Sequence, residues 1–218
     1  MSMMKRLFRR GFALPAAMVC ALSIPIMAAQ AASVTYSFTG VTNNPGVAIP
    51  VDGTFQFDDM TSGSGGVYSG AVTGFKLVFN KGVYTSVFAP GLNGVIISQN
   101  TDLGGGVFGD RWALVSPATG GKLGETTPYN FDLYLSRKGQ GLFTNTDLQN
   151  PPSLGSLDTK TWRLYFKNVD GVPFAYYGQI SSLTAVPLPP AVLLFGAGLI
   201  ALVGLGVGGL RNLRGFQS

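Results

Sequence analysis

The sequence predicts an all-β protein, a single antiparallel β-sandwich of jelly-roll-like type, on three observations. Between residues 32 and 186 apolar residues recur with period two, as in strands with one face in a core and one in water. Glycines punctuate the same region in clusters such as Ser62-Gly63-Ser64-Gly65-Gly66 and Gly104-Gly105-Gly106, which read as turns between short strands. No stretch of it carries a convincing amphipathic helix.

Taken in chain order, Val34, Tyr36 and Phe38 alternate with Thr35, Ser37 and Thr39. Val51, Phe55 and Phe57 then alternate with Asp52, Thr54, Gln56 and Asp58. Phe75, Leu77 and Phe79 form a further apolar set, followed by Tyr129, Phe131, Leu133 and Leu135. Finally Trp162, Leu164 and Phe166 stand opposite Arg163, Tyr165 and Lys167. Several short strands divided by turn signals suit a sandwich. There is no repeat of fixed period and no linker long enough to split the region, so residues 32–185 are expected to form one domain.

Composition narrows the chemistry. The chain has 218 residues, 46% of them hydrophobic and 11% charged, with a formal net charge of +5. That charge sits at the ends. Lys5, Arg6, Arg9 and Arg10 precede residue 32, and Arg211 and Arg214 follow residue 187, while the body holds nine basic against ten acidic residues. A nucleic-acid partner would want a basic face on the folded part, so none is expected. The chain has no histidine, which excludes Ser-His-Asp and Cys-His catalysis and His-ligated zinc. Its single cysteine, Cys20, lies in an N-terminal apolar run, so the body can form no disulfide.

Both ends read as targeting segments. Basic residues 1–10 precede an apolar stretch over 11–27, and Ala29-Gln30-Ala31 supplies small residues at −3 and −1. This is the pattern of a cleavable secretory signal over 1–31, implying the export translocon and signal peptidase as partners. At the other end, residues 191–210 run without a charge and contain eleven Val, Leu, Ile or Phe, six Gly and three Ala. A helix of that length spans about 30 Å, the thickness of the hydrocarbon core. Arg211 and Arg214 follow at once and form a basic stop, orienting the tail to the cytoplasm and the body outside. The span is thus expected to be a transmembrane helix that holds the chain to the membrane.

Just before it stands Val186-Pro187-Leu188-Pro189-Pro190. Prolines at 187, 189 and 190 keep the chain extended and accessible. This order of proline motif (186–190), apolar span (191–210) and basic end (211–214) resembles the PEP-CTERM class of bacterial sorting signals, and within it the VPLPA-CTERM type. Pro190 replaces the final alanine of that name, and Leu188 stands where the parent class has an acid. The resemblance implies that an exosortase recognises the motif and removes the span. It also implies a protein of the cell surface or of an exopolysaccharide (biofilm) matrix, anchored in the inner membrane only in transit.

The body offers fewer signals. Asp52, Asp58 and Asp59 are weak calcium candidates, since hard cations want several oxygens, and Asp is equally a turn residue. Ten scattered acids present no distinctive carboxylate pair of the kind a glycosidase uses, so the chain is expected not to be an enzyme and to need no cofactor. Tyr134, Tyr165 and Tyr177 fall on the polar side of their strands by parity, where aromatic rings could stack on sugars. Two functional expectations follow. One, implied by the resemblance to the sorting class and not by the body, is a non-enzymatic structural or adhesive protein; the alternative is a carbohydrate-binding module acting on extracellular polysaccharide.

Overall fold

The computed structural model describes residues 33–43 and 48–187. Ala29, Ala31, Leu188, Pro189, Pro190, Arg211 and Arg214 lie outside the described residues, as do the expected signal peptide and the apolar span. Among the described residues there is no α-helix, and no helix is long and apolar enough to cross a membrane.

The described residues form ten strands: β1 (Ser33–Thr42), β2 (Pro50–Asp58), β3 (Val67–Ser69), β4 (Val72–Phe79), β5 (Tyr84–Phe88), β6 (Gly94–Asp102), β7 (Phe108–Gly120), β8 (Thr127–Lys138), β9 (Thr159–Lys167) and β10 (Pro173–Val186). The expected alternation appears as alternating burial. In β2 the buried residues Val51, Gly53, Phe55 and Phe57 alternate with exposed or half-buried ones, and in β9 Trp162, Leu164 and Phe166 are fully buried.

All pairings between these strands are antiparallel, as expected. The sandwich is not what they build. Neighbouring strands run β1-β2-β4-β5-β7-β8-β9-β10 and back to β1, so eight of them close into a barrel. Two long strands make closure work by dividing an edge or switching neighbours along their length. One edge of β7 pairs with β6 over 108–115 and then with β5 over 118–120, while its other edge pairs with β8. Similarly, β10 pairs with β9 over 173–179 and with β1 over 178–186. Period-two alternation says only that each strand has an inner face, which barrel and sandwich share. Closure also removes the unpaired edges a sandwich would leave, and only the short β3–β6 extension stays outside the ring.

The interior is aromatic. Tyr36 stacks on Phe55 at 5.4 Å, and Trp112 meets Phe55 and Phe57 at 5.8 and 5.9 Å. Further along the barrel, Phe79, Trp162, Tyr84, Phe166 and Tyr176 form a second cluster. Two strands must approach closely for Trp162 to fit. Gly178 is its cross-strand partner, and a Cβ at 178 would stand 2.7 Å from the indole and overlap the Val41 carbonyl.

The segment 139–158 covers one end of the barrel. Its own Phe143 and Leu157 are buried in the core. Its backbone carbonyls at Thr146, Gln149 and Phe143 accept hydrogen bonds from Tyr68 Oη, Trp112 Nε1 and Gln99 Nε2. The fully buried Asp110 carboxylate accepts the backbone N–H groups of Asn100, Leu142 and Phe143. The registers Ser33↔Asp58 and Thr35↔Val186 place the start of β1 and the end of β10 at this same end.

One expectation about β8 is corrected. Tyr129 does not belong to the inner set with Phe131, Leu133 and Leu135. The register shifts between Pro128 and Asn130, and the extra residue goes outward. There the Tyr129 ring lies 6.0 Å from Tyr165 and 4.4 Å from Lys167 Nζ.

Candidate functional site

The outer face of β7–β10 carries a groove of about 460 Å³, lined by Leu103, Arg111, Tyr134, Ser136, Thr159, Thr161, Arg163 and Tyr177. It follows from register. Tyr134 pairs with Thr161, Ser136 with Thr159 and Arg111 with Ser136. Arg163 stands between Asp132 on β8 and Tyr177 on β10. Residues paired across strands point to the same face, so one outward row from each strand meets here. Leu103, from the β6–β7 turn, supplies the apolar border.

Arg163 is the centre of the arrangement. Its Nη2 donates to Asp132 Oδ2 at 3.1 Å. Its guanidinium carbon lies 4.5 Å from the Tyr134 ring centroid and 5.6 Å from that of Tyr165. Asp132 is 7% exposed; Oδ1 accepts from Asn130 Nδ2, and Tyr134 Oη donates to Oδ2. Burial pushes the Asp132 carboxyl above its ordinary value, while the Tyr165 hydroxyl, the Arg163 charge and the Tyr134 hydroxyl pull the other way. Burial likewise raises the Tyr165 phenol to about 12, helped by the Asp132 charge, and the Tyr134 phenol rises for the same two reasons.

Arg111 stands on the other side of Tyr134, its guanidinium carbon 5.1 Å from the ring centroid and its Nε donating to Ser136 Oγ at 3.2 Å. Tyr134 is thus held between two guanidinium groups. Tyr177 is more open, at 44% exposure. The groove therefore offers a bare aromatic ring, two threonine hydroxyls and a fixed cation, over a floor already tied together by an ion pair. It can hold a polar molecule with a flat apolar face; it contains no pair of facing carboxylates.

Tyr134, Tyr165 and Tyr177, which parity put on the polar side, lie on three consecutive strands and are joined through Arg163. The parity argument missed Arg111, Arg163, Asp132, Ser136, Thr159 and Thr161. Their signal was the same alternation, since Asp132, Tyr134 and Ser136 share one parity and Thr159, Thr161, Arg163 and Tyr165 another.

The aspartates considered for calcium do not converge. Asp52 and Asp58 are six residues apart on β2, about 20 Å at strand rise. Asp58 Oδ1 accepts the N–H of Met60, a turn contact. Among the described residues no group of three or more such ligands occurs. Of the expected sorting motif, Val186 ends β10 and is exposed, and Pro187 follows directly.

Fold and site together define an antiparallel β-barrel with a polar, arginine- and tyrosine-built groove on its flank. No family model, no curated protein and no solved structure matches the chain.

Proposed function

We propose that this chain is an exported bacterial protein of the cell surface or exopolysaccharide matrix, whose barrel holds extracellular polysaccharide without cleaving it. The observation that carries the reading is the convergence of Tyr134, Tyr165 and Tyr177 around Arg163 on one polar sheet face. Sugar rings have apolar faces that stack on aromatic side chains and hydroxyl edges that need donors and acceptors. The exposed Tyr177 ring beside Thr159, Thr161 and Arg163 offers both. Glycoside hydrolysis would want two carboxylates about 5 to 9.5 Å apart, whereas no carboxylate lines this groove and the buried Asp132 beside it is engaged by Arg163. Binding fits better than turnover, and an adhesive role in the matrix follows from it.

The delivery route is part of the same proposal. The signal over 1–31 takes the chain through the export translocon, and the apolar span 191–210 retains it at the inner membrane. An exosortase then acts at the 186–190 motif. The supports are the sequence patterns and their resemblance to PEP-CTERM signals.

Retention of the protein on a panel of insoluble neutral and acidic polysaccharides tests the binding role. The wild-type protein is expected to be retained on at least one of them. Tyr177→Ala should weaken that retention by about tenfold, since stacking contributes on the order of 1 kcal/mol or more, at an unchanged melting temperature. A wild type that passes every column, or a variant that binds as well as wild type, overturns the reading.

A further inference from the structure

We infer that the groove on β7–β10 takes a carboxylate-bearing saccharide, a uronate unit of an acidic polysaccharide, with Arg111 receiving the carboxylate; this rests on the glycan-binding reading above and names its ligand class. The two arginines of the groove are not equivalent. Arg163 is neutralised by Asp132 at 3.1 Å. Arg111 has no carboxylate partner among the described residues, and only its Nε is engaged, by Ser136 Oγ. Its remaining N–H donors lie at the groove with no hydrogen-bond partner among the described residues.

The Arg111 side chain is also held in place. The Tyr134 ring supports its guanidinium at 5.1 Å and Ser136 fixes its inner nitrogen. A guanidinium already immobilised loses little freedom on binding, and its planar fork matches a carboxylate with two parallel hydrogen bonds. The Thr159 and Thr161 hydroxyls likewise have no partner among the described residues and lie along the same groove. Tyr177 supplies an exposed ring next to them. A neutral sugar would use the hydroxyls and the ring but leave an unpaired fixed cation beneath it. A uronate uses all three.

The test compares polygalacturonate with the carboxyl-reduced polymer made from it, which keeps the backbone and loses the charge. Binding of the full chain, purified in detergent, is measured by titration calorimetry for wild type, Arg111→Gln and Arg111→Lys. Polygalacturonate should bind wild type at least tenfold tighter than the reduced polymer. Arg111→Gln should bring the two polymers together, and Arg111→Lys, which keeps the charge but not the fork, should lose several-fold for polygalacturonate alone. Unchanged thermal unfolding of both variants, which lose no ion pair, shows that the loss is local.

Equal affinity of wild type for both polymers overturns the uronate assignment and leaves the glycan-binding reading standing. Full affinity in Arg111→Lys also overturns it, by reducing the effect to charge attraction. Binding of neither polymer overturns it as well, and the polysaccharide panel above then decides whether the broader reading falls with it.

Discussion

Tyr84 shows how a single buried hydroxyl shapes the response of this barrel to pH. The residue sits among Phe79 and Phe166, 9% exposed, and its Oη has no hydrogen-bond partner among the described residues. Burial raises its phenol from 10.0 to about 12. Because the folded value lies above the unfolded one, the folded state holds this proton more tightly. The resulting stabilisation is complete below pH 10 and is lost as pH rises through about 12. Tyr84→Phe has no such proton to lose. Urea unfolding midpoints from pH 8 to 11.5 are therefore expected to fall less steeply for the variant. At neutral pH it should equal or exceed wild type by up to about 1 kcal/mol, since an unpaired buried hydroxyl is a cost. Parallel curves above pH 10 would contradict the argument.

Among the larger elements, the 139–158 segment is held in part by one carboxylate. The Asp110 carboxylate gathers three backbone N–H groups, two of them from that segment. Asp110→Ala takes the acceptor from all three, which stand in a half-buried to buried place, and should cost about 2–4 kcal/mol. Limited proteolysis is expected to show faster cutting within 139–158 than in any strand, and cutting unchanged from wild type would remove Asp110 from this role. The same elements show what alternation can convey. Strands β1, β2, β4 and β9 were legible because each turns a regular apolar row toward the core. Tyr129 was misplaced because a bulge adds one residue, and an added residue reverses every parity before it. Closure was illegible for another reason: β7 and β10 share out their edges among neighbours, and a strand's own residues do not name its partners. The site was half legible. Parity found the tyrosines, but charged residues on an outer face ordinarily just meet water, so Arg111 and Arg163 carried no signal until the β7–β8 and β8–β9 registers placed them around Tyr134.

At the scale of the molecule, the ten strands among the described residues lie between 33 and 186, and the last ladder pair on β10 is Thr35↔Val186. Removal of residues 1–31 and a cut at or just after Pro187 would therefore take nothing from the ladder. Intact mass of protein recovered from the extracellular fraction of producing cells is expected to match a chain starting near Ala32 and ending near Pro187. That product should unfold at the same temperature as the longer membrane form. A chain that keeps residues 191–218 in every fraction would end the sorting proposal.

The position of Pro187 also has a mechanical side. The chain leaves the barrel along β10, whose outward ring Tyr177 stands at the groove and whose later residues pair with β1. A polymer pulling on the groove while the C-terminal end is held would draw β10 along its own axis. Antiparallel ladder bonds lie perpendicular to the strand, so such a load acts on the β1–β10 bonds together, in shear, instead of opening them one after another. A chain whose flank holds a polymer while its C-terminal end is still held at the membrane, before the span is removed, would in this way be pulled in the direction in which its sheet yields least.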